Sequence, residues 1–283
     1  MKTLQGIGIW SSELRYGDPS EVADSAAELE ALGFSALWVP DVGGPLFESL
    51  DRLVAATSTT TIATGILNVW MHDAADVAEW WATVKPADRE RVLLGLGVSH
   101  GMLIGDKWAK PLAKMREYLE SLEAQGERVP PADQLCVAAL GPKMLELAGS
   151  KTAGSCPYLV TPEHTAIARE ALGDAGLFVE QGFILERDPE TARNTARQVL
   201  GMYFDLPNYA NNWKRLGFTE DDIASRSDRL IDALVVWGDL DAVAARVDEH
   251  FAAGADQVCL QSIAPLGTDQ RPAWREVAAL TNR

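Results

Sequence analysis

The chain has 283 residues, 47% of them hydrophobic and 23% charged, with 23 glycines and 14 prolines. That is the make-up of a folded globular protein and excludes a largely disordered one. A formal net charge of -16 repels phosphate backbones and anionic headgroups, which sets nucleic-acid and membrane-surface roles aside. The stretch from Met1 to Trp10 lacks the apolar run of a signal peptide, and nothing approaches the roughly 18 uninterrupted apolar residues of a spanning helix, so a cytoplasmic protein is expected. Cys136, Cys156 and Cys259 cannot all pair, and each sits in an apolar segment; they are expected to be small, reduced core residues.

In chain order, Lys2 to Trp10 reads as a strand and Glu21 to Leu32 as a helix stopped by Gly33, followed by a strand at Ser35 to Val39. A helix through Leu46 to Ala56 leads to a third strand, Thr61 to Val69, which carries Gly65 where a strand gains nothing from glycine. Such a glycine marks a bulge or a close approach of another group to the backbone. A helix from about Asp73 to Thr83 precedes the continuous apolar run Val92 to Val98, the pattern of a strand buried on both faces. After a loop with Gly101, Gly105, Lys107 and Lys110 come a helix near Leu112 to Glu123, a fifth strand at Leu135 to Leu140 and a helix of Met144 to Ala148. A sixth strand, Cys156 to Val160, ends where Thr161 caps the helix that Pro162 opens, and Phe178 to Leu185 is the seventh. From Asp188 the pattern is helical for some seventy residues, interrupted near Asp205 to Trp213 and at Gly217. A helix from Asp239 to Ala253, an eighth strand at Gln257 to Ser262 and a helix near Pro272 to Leu280 complete it. Strands alternating with helices predict a single-domain α/β protein over residues 1–283: a closed (β/α)8 TIM barrel with a late helical insertion, its chemistry at the C-terminal ends of the strands.

Several motifs at those ends carry candidate chemistry. Gly97-Val98-Ser99-His100-Gly101 matches the nucleophile elbow of the α/β-hydrolases, with His164 and His250 available downstream. The following stretch lacks helical periodicity, though, and no oxyanion-hole sequence is present. Gly95-Leu96-Gly97 invites a dinucleotide reading, but the third glycine is out of place and no helix is expected to begin there, so close packing in a barrel strand is the expectation. The histidines His72, His100, His164 and His250 show no metal-ligand spacing, and His250, in a charged helix, reads as a surface residue. In Ala138 to Lys143, small residues bring backbone N–H groups to a helix start beside a lysine, which suits an anion as well as an ordinary turn. Trp10 and Trp70, at strand ends, are the tryptophans placed to wall a pocket for a flat ring.

Together Glu30 to Trp38, Ala63 to Asn68, Leu93 to His100, Ala139 to Pro142, Pro157 to Glu163 and Ser227 to Leu234 occur in an order that resembles the luciferase-like superfamily. The nearest likeness within it is to the actinobacterial oxidoreductases that use coenzyme F420. The resemblance implies a TIM barrel, a homodimer, and F420, or alternatively FMN, bound at the strand ends for hydride transfer to a small-molecule substrate. It also implies a bulge with a non-prolyl cis peptide at Gly65-Ile66 behind the ring. With the residues singled out above, the expected cofactor-binding set is Trp10, Gly65, Ile66, Leu67, Asn68, Ser99, Ala139, Leu140, Gly141, Pro142, Lys143 and Thr161. Asp41 falls at the family's polar position near the ring, but Val42 stands where several relatives carry an acid-base histidine. His72, His100 and Glu13 are then the substitutes for proton transfer. An FMN-dependent monooxygenase, a hydrolase using Ser99 and a non-catalytic barrel are the alternatives, and no metal is implied.

Overall fold

The computed structural model describes residues 4–282. Among the described residues ten parallel strands run β1 Gly6–Trp10, β2 Ala36–Val39, β3 Thr61–Thr64, β4 Leu67–Asn68, β5 Val92–Gly97, β6 Leu135–Val137, β7 Gly154–Ser155, β8 Gly176–Ile184, β9 Val235–Trp237 and β10 Gln257–Ser262. The order β10-β1-β2-β3-β5-β6-β7-β8 is closed by pairing of β8 with β10, giving the expected eight-stranded barrel with flanking helices. β4 continues β3 beyond a break and pairs with β5. β9 adds to the upper part of β8, from Gly182 to Ile184.

Alternation along the strands divides the apolar residues between two cores. Ile7, Ile9, Leu37, Val39, Leu94 and Leu96 point outward against the helices. Trp10, Ala36, Trp38, Ala63, Cys136, Cys156, Phe178 and Cys259 fill the lumen. All three cysteines are free and buried, as read from the sequence. A third cluster, including Phe204, Leu206, Tyr209, Trp213 and Leu230, belongs to the late helical segment. That segment lies against the barrel mouth, where the Trp213 indole donates to Leu159 O at 3.3 Å.

Several expectations need correction. Lys2, the expected start of the first strand, lies outside the described residues, and the ladder begins at Gly6. The sixth strand is Gly154–Ser155 rather than Cys156 to Val160: Pro157 has no N–H to donate and Leu159 has a left-handed φ of 53°, so the chain leaves the ladder there. The helical stretch after Asp188 is interrupted by β9, whose run Val235-Val236-Trp237 suits a strand once β8 offers an edge. The segment after Ser99 does contain a short helix, Gly101–Ile104.

His250 is fully buried, not a surface residue. Its Nε2 lies 2.8 Å from Gln181 Oε1 and its Nδ1 2.8 Å from the Thr165 hydroxyl. A neutral ring protonated at Nε2 satisfies both. Burial, with Arg246 and His164 adding repulsion, lowers its pKa to about 3 from 6.5. The unfolded chain therefore binds a proton that the folded one refuses. The stabilisation is complete above pH 6.5 and is lost as pH falls toward 3, at up to about 1.4 kcal/mol per pH unit. Chemical denaturation across this range should show a shallower acid slope for His250→Gln than for the unsubstituted protein; equal slopes would show that His250 does not set it.

Candidate cofactor site

A cavity of about 700 Å³ opens among the loops that follow the C-terminal ends of the strands. Its lower part is formed by Trp38, Cys156, Phe178 and Cys259, all from lumen-facing positions. The lumen floor thus mixes large aromatic side chains with alanines and cysteines, and the cavity lies above it at the strand ends.

One wall is built by the break in the third strand. The Gly65–Ile66 peptide is cis, as the resemblance implied, and ladder pairing resumes only at Leu67. The Trp10 indole donates to Gly65 O at 3.0 Å and so ties β1 to the break. A Cβ at Gly65 would stand 2.5 Å from Trp10 Nε1, and one at Gly97 would overlap the Ile66 side chain. Ile66 is thereby directed to the cavity between two residues that have no side chain.

Behind this wall is Asp41, buried yet still lining the cavity. Its Oδ2 accepts the Asn68 backbone N–H at 3.1 Å and its Oδ1 the Gly43 N–H at 3.4 Å. His72 Nε2 is 3.1 Å from Oδ2, without the alignment of a hydrogen bond. Burial acts to raise the Asp41 pKa, but His72 and these N–H groups outweigh it and hold the carboxyl below its ordinary value.

The opposite side carries a second acid, which the sequence reading passed over. Glu180, on β8, is 4% exposed and lines the cavity. Its Oε2 accepts the Leu159 N–H at 2.9 Å, while Oε1 has no hydrogen-bond partner. Burial pushes its pKa up to about 8 against the single opposing N–H. Tyr158 packs on Trp10 with ring centroids 5.4 Å apart, and Tyr203 and Tyr209 continue the cluster. The available signal was a glutamate followed by a glutamine in the otherwise apolar run of the seventh predicted strand.

The other expected site residues divide clearly. Ser99, His100, Ala139 and Leu140 line the cavity. Burial lowers the His100 pKa, opposed by a hydrogen bond with Asn208, and its ring lies 5.6 Å from that of Tyr209. Leu67 and Asn68 face away from the cavity, and Trp70 sits outside it, its indole donating to Val98 O at 2.9 Å. Glu13 lies in a separate cleft with Glu21 and Asp269. Thr161 caps the helix Pro162–Leu172 through the His164 N–H. Gly141, Pro142 and Lys143 are at the start of the helix Pro142–Lys151, beside the cavity residue Leu140. Arg215, from the helix Pro207–Arg215, reaches this turn, 3.5 Å from Leu140 O. Ser99 has the left-handed φ of 52° that an elbow would want. However, His164 is bound to Leu140 O and His250 is enclosed by Thr165 and Gln181, so neither serves Ser99 as a base.

The aromatic and apolar lining beside the broken strand suits a planar ring. With no Cβ at Gly65 and Gly97, the Trp10 indole and the Ile66 side chain close directly over the break to form the wall, and an anion at the Ala139 to Lys143 turn would meet helix N–H groups, Lys143 and Arg215. Among described residues no group of histidine, cysteine or carboxylate side chains could hold a metal ion. No helix among them is long and apolar enough to cross a membrane.

The chain is similar to 5,10-methylenetetrahydromethanopterin reductase of Archaeoglobus fulgidus, with 26% identity covering 86% of this chain and 89% of the relative. Its fold is similar to that of an F420-dependent secondary alcohol dehydrogenase solved with an F420-acetone adduct, with a TM-score of 0.76, 16% identity and 98% of each chain covered. The coenzyme F420-dependent tetrahydromethanopterin reductase of Methanopyrus kandleri gives a TM-score of 0.72 at 18% identity, again over 98% of each chain. Residues 3–257 match the model of the luciferase-like monooxygenase family, and the barrel, the broken third strand and the cavity beside it are those of a chain that belongs to this family.

Proposed function

We propose that this protein is an oxidoreductase that transfers a hydride between coenzyme F420 and a small organic substrate held in the cavity, FMN being the alternative cofactor. The reading is carried by the flat wall of Trp10, Gly65, Ile66 and Gly97 in a barrel of this family, and it is supported by the F420-dependent enzymes with which the chain shares its fold. A bound deazaflavin supplies or accepts the hydride. The protein's residues bind, orient and exclude water. Ile66 backs the ring, and the turn from Ala139 to Lys143 with Arg215 holds the phosphate. Asp41 fixes the Asn68 backbone just beyond the wall.

His100 is the proton carrier in this reading. It lines the cavity, and burial favours its neutral form, which accepts a proton without a charge already in place. His72, behind Asp41, and Glu13, in the other cleft, do not line the cavity themselves and are set aside for that role. A cytoplasmic homodimer belongs to the same reading.

Fluorescence titration of the purified protein with F420 should saturate, with FMN binding weakly or not at all; saturation by FMN alone would transfer the assignment to a monooxygenase, and binding of neither would end the cofactor reading. Gly65→Ala should displace the Trp10 indole and weaken F420 binding by at least about tenfold, roughly the worth of one well-placed contact. In the F420-loaded enzyme His100→Gln should slow turnover by about a hundredfold or more while F420 affinity changes little; unchanged turnover would remove His100 from the proton path.

A further inference from the structure

Glu180 is the one acid in the cavity whose surroundings do nothing to offset its burial beyond a single N–H. Asp41 has two backbone donors and an imidazole. Glu180 has Leu159 N–H on Oε2 and nothing on Oε1. The lining contains no lysine or arginine, so no cation stands ready to pair with a carboxylate there. The groups that face Glu180 are the Tyr158, Tyr203 and Tyr209 hydroxyls, from the loop after β7, the turn Gly201–Asp205 and the helix Pro207–Arg215, and the Cys259 thiol on β10. All are neutral when protonated, and burial pushes each of their pKa values upward. Burial, unrelieved by any cation in the lining, therefore outweighs the Leu159 N–H and favours the uncharged acid, and since Oε2 is taken by that N–H, the acidic hydrogen belongs on Oε1.

Position gives that hydrogen a purpose. Around the closed barrel, β3 and β8 are separated by four steps in either direction, so Glu180 and the Gly65–Ile66 break face one another across the lumen. A planar group held against Ile66 would have Glu180 on the opposite side of the cavity. The neighbouring Gln261, on the same inward side of β10, also has a buried Oε1 without a partner. Around the mouth, Val42, Leu103, Met202 and Leu266 are exposed apolar side chains. The path to Glu180 is thus lined for an uncharged, oily molecule, and its end presents one strong hydrogen-bond donor.

We propose that Glu180 is the substrate-recognition residue of the cavity, its Oε1 hydroxyl donating a hydrogen bond to the carbonyl oxygen of an uncharged, apolar ketone or enone. This rests on the reading that a planar cofactor lies against Gly65 and Ile66. An ionised Glu180 loses the donor and repels the carbonyl oxygen, so recognition is retained below about pH 8 and falls away above it.

Cyclohexanone, cyclohexylamine and cyclohexanecarboxylate are the probes, titrated calorimetrically into the wild-type protein with and without F420. The cofactor itself is titrated separately, so that its failure to bind is distinguished from a failure of Glu180. Cyclohexanone should bind more tightly than the other two, and its affinity should fall by about tenfold per pH unit above about pH 8. Glu180→Gln, which keeps a donor that does not ionise, should bind the ketone with no such pH dependence, whereas Glu180→Ala should lose at least about tenfold in affinity. The infrared band of a protonated buried carboxyl, shifted on ketone binding, should be present in wild type and absent from both variants. Preference for the amine, undiminished ketone affinity in Glu180→Ala, a pH-independent wild-type affinity or no ketone binding at all would each overturn the proposal.

Discussion

The site depends on one steric constraint: three positions around the third-strand break have no side chain. A Cβ at Gly95 would overlap Thr64 O, one at Gly97 would overlap Ile66, and one at Gly65 would crowd the Trp10 indole. With these three clear, β3 runs close against β5, with the Thr64 hydroxyl donating to Gly95 O at 2.8 Å, and then departs from the ladder at Gly65. The Trp10 N–H fixes the departed carbonyl. Side chains at these positions would collide with Trp10, Thr64 and Ile66 and push the wall out of place. Here the lumen is left open on one side and bounded by a flat surface.

The two cavity acids show how environment separates identical chemistry. Asp41 is as buried as Glu180 in the fold, yet donors surround it and its carboxylate form is favoured; it acts as a backbone anchor that keeps the wall in register. Glu180 has apolar and aromatic neighbours and its acid form is favoured. The surroundings favour the charged form of the first, behind the broken strand, and the uncharged form of the second, on the opposite side of the cavity. That division suits a cavity without cationic side chains, where a second carboxylate would face unrelieved repulsion.

The barrel was legible because its evidence is periodic and local. Continuous apolar strands such as Val92 to Val98, the helix stop at Gly33, and the Thr161 cap before Pro162 each announce themselves in a few consecutive residues. The position of the third-strand break was also legible, from a glycine out of place and from the resemblance around it. The misreadings came where partners are distant. β9 is a strand because β8 offers an edge some fifty residues away in sequence, between Gly182 and Val235. His250 is a core residue because Gln181 and Thr165, on other elements, supply both its hydrogen bonds.

By itself the sequence determined the alternation of strands and helices, the small residues of the lumen and the family to which they belong. Those follow from hydrophobic period, turn residues and side-chain size, all properties of neighbours along the chain. The tertiary structure alone decided which of the candidate residues share a cavity. It brought His100, Asp41, Ser99 and Ile66 together, left Glu13, Leu67 and Trp70 outside, and set Glu180 opposite the broken strand. The physical reason is that protonation state and access depend on what is packed around a group from all sides. For Glu180 those neighbours come from β10, the loop after β7 and the late helices, which meet only when the barrel closes.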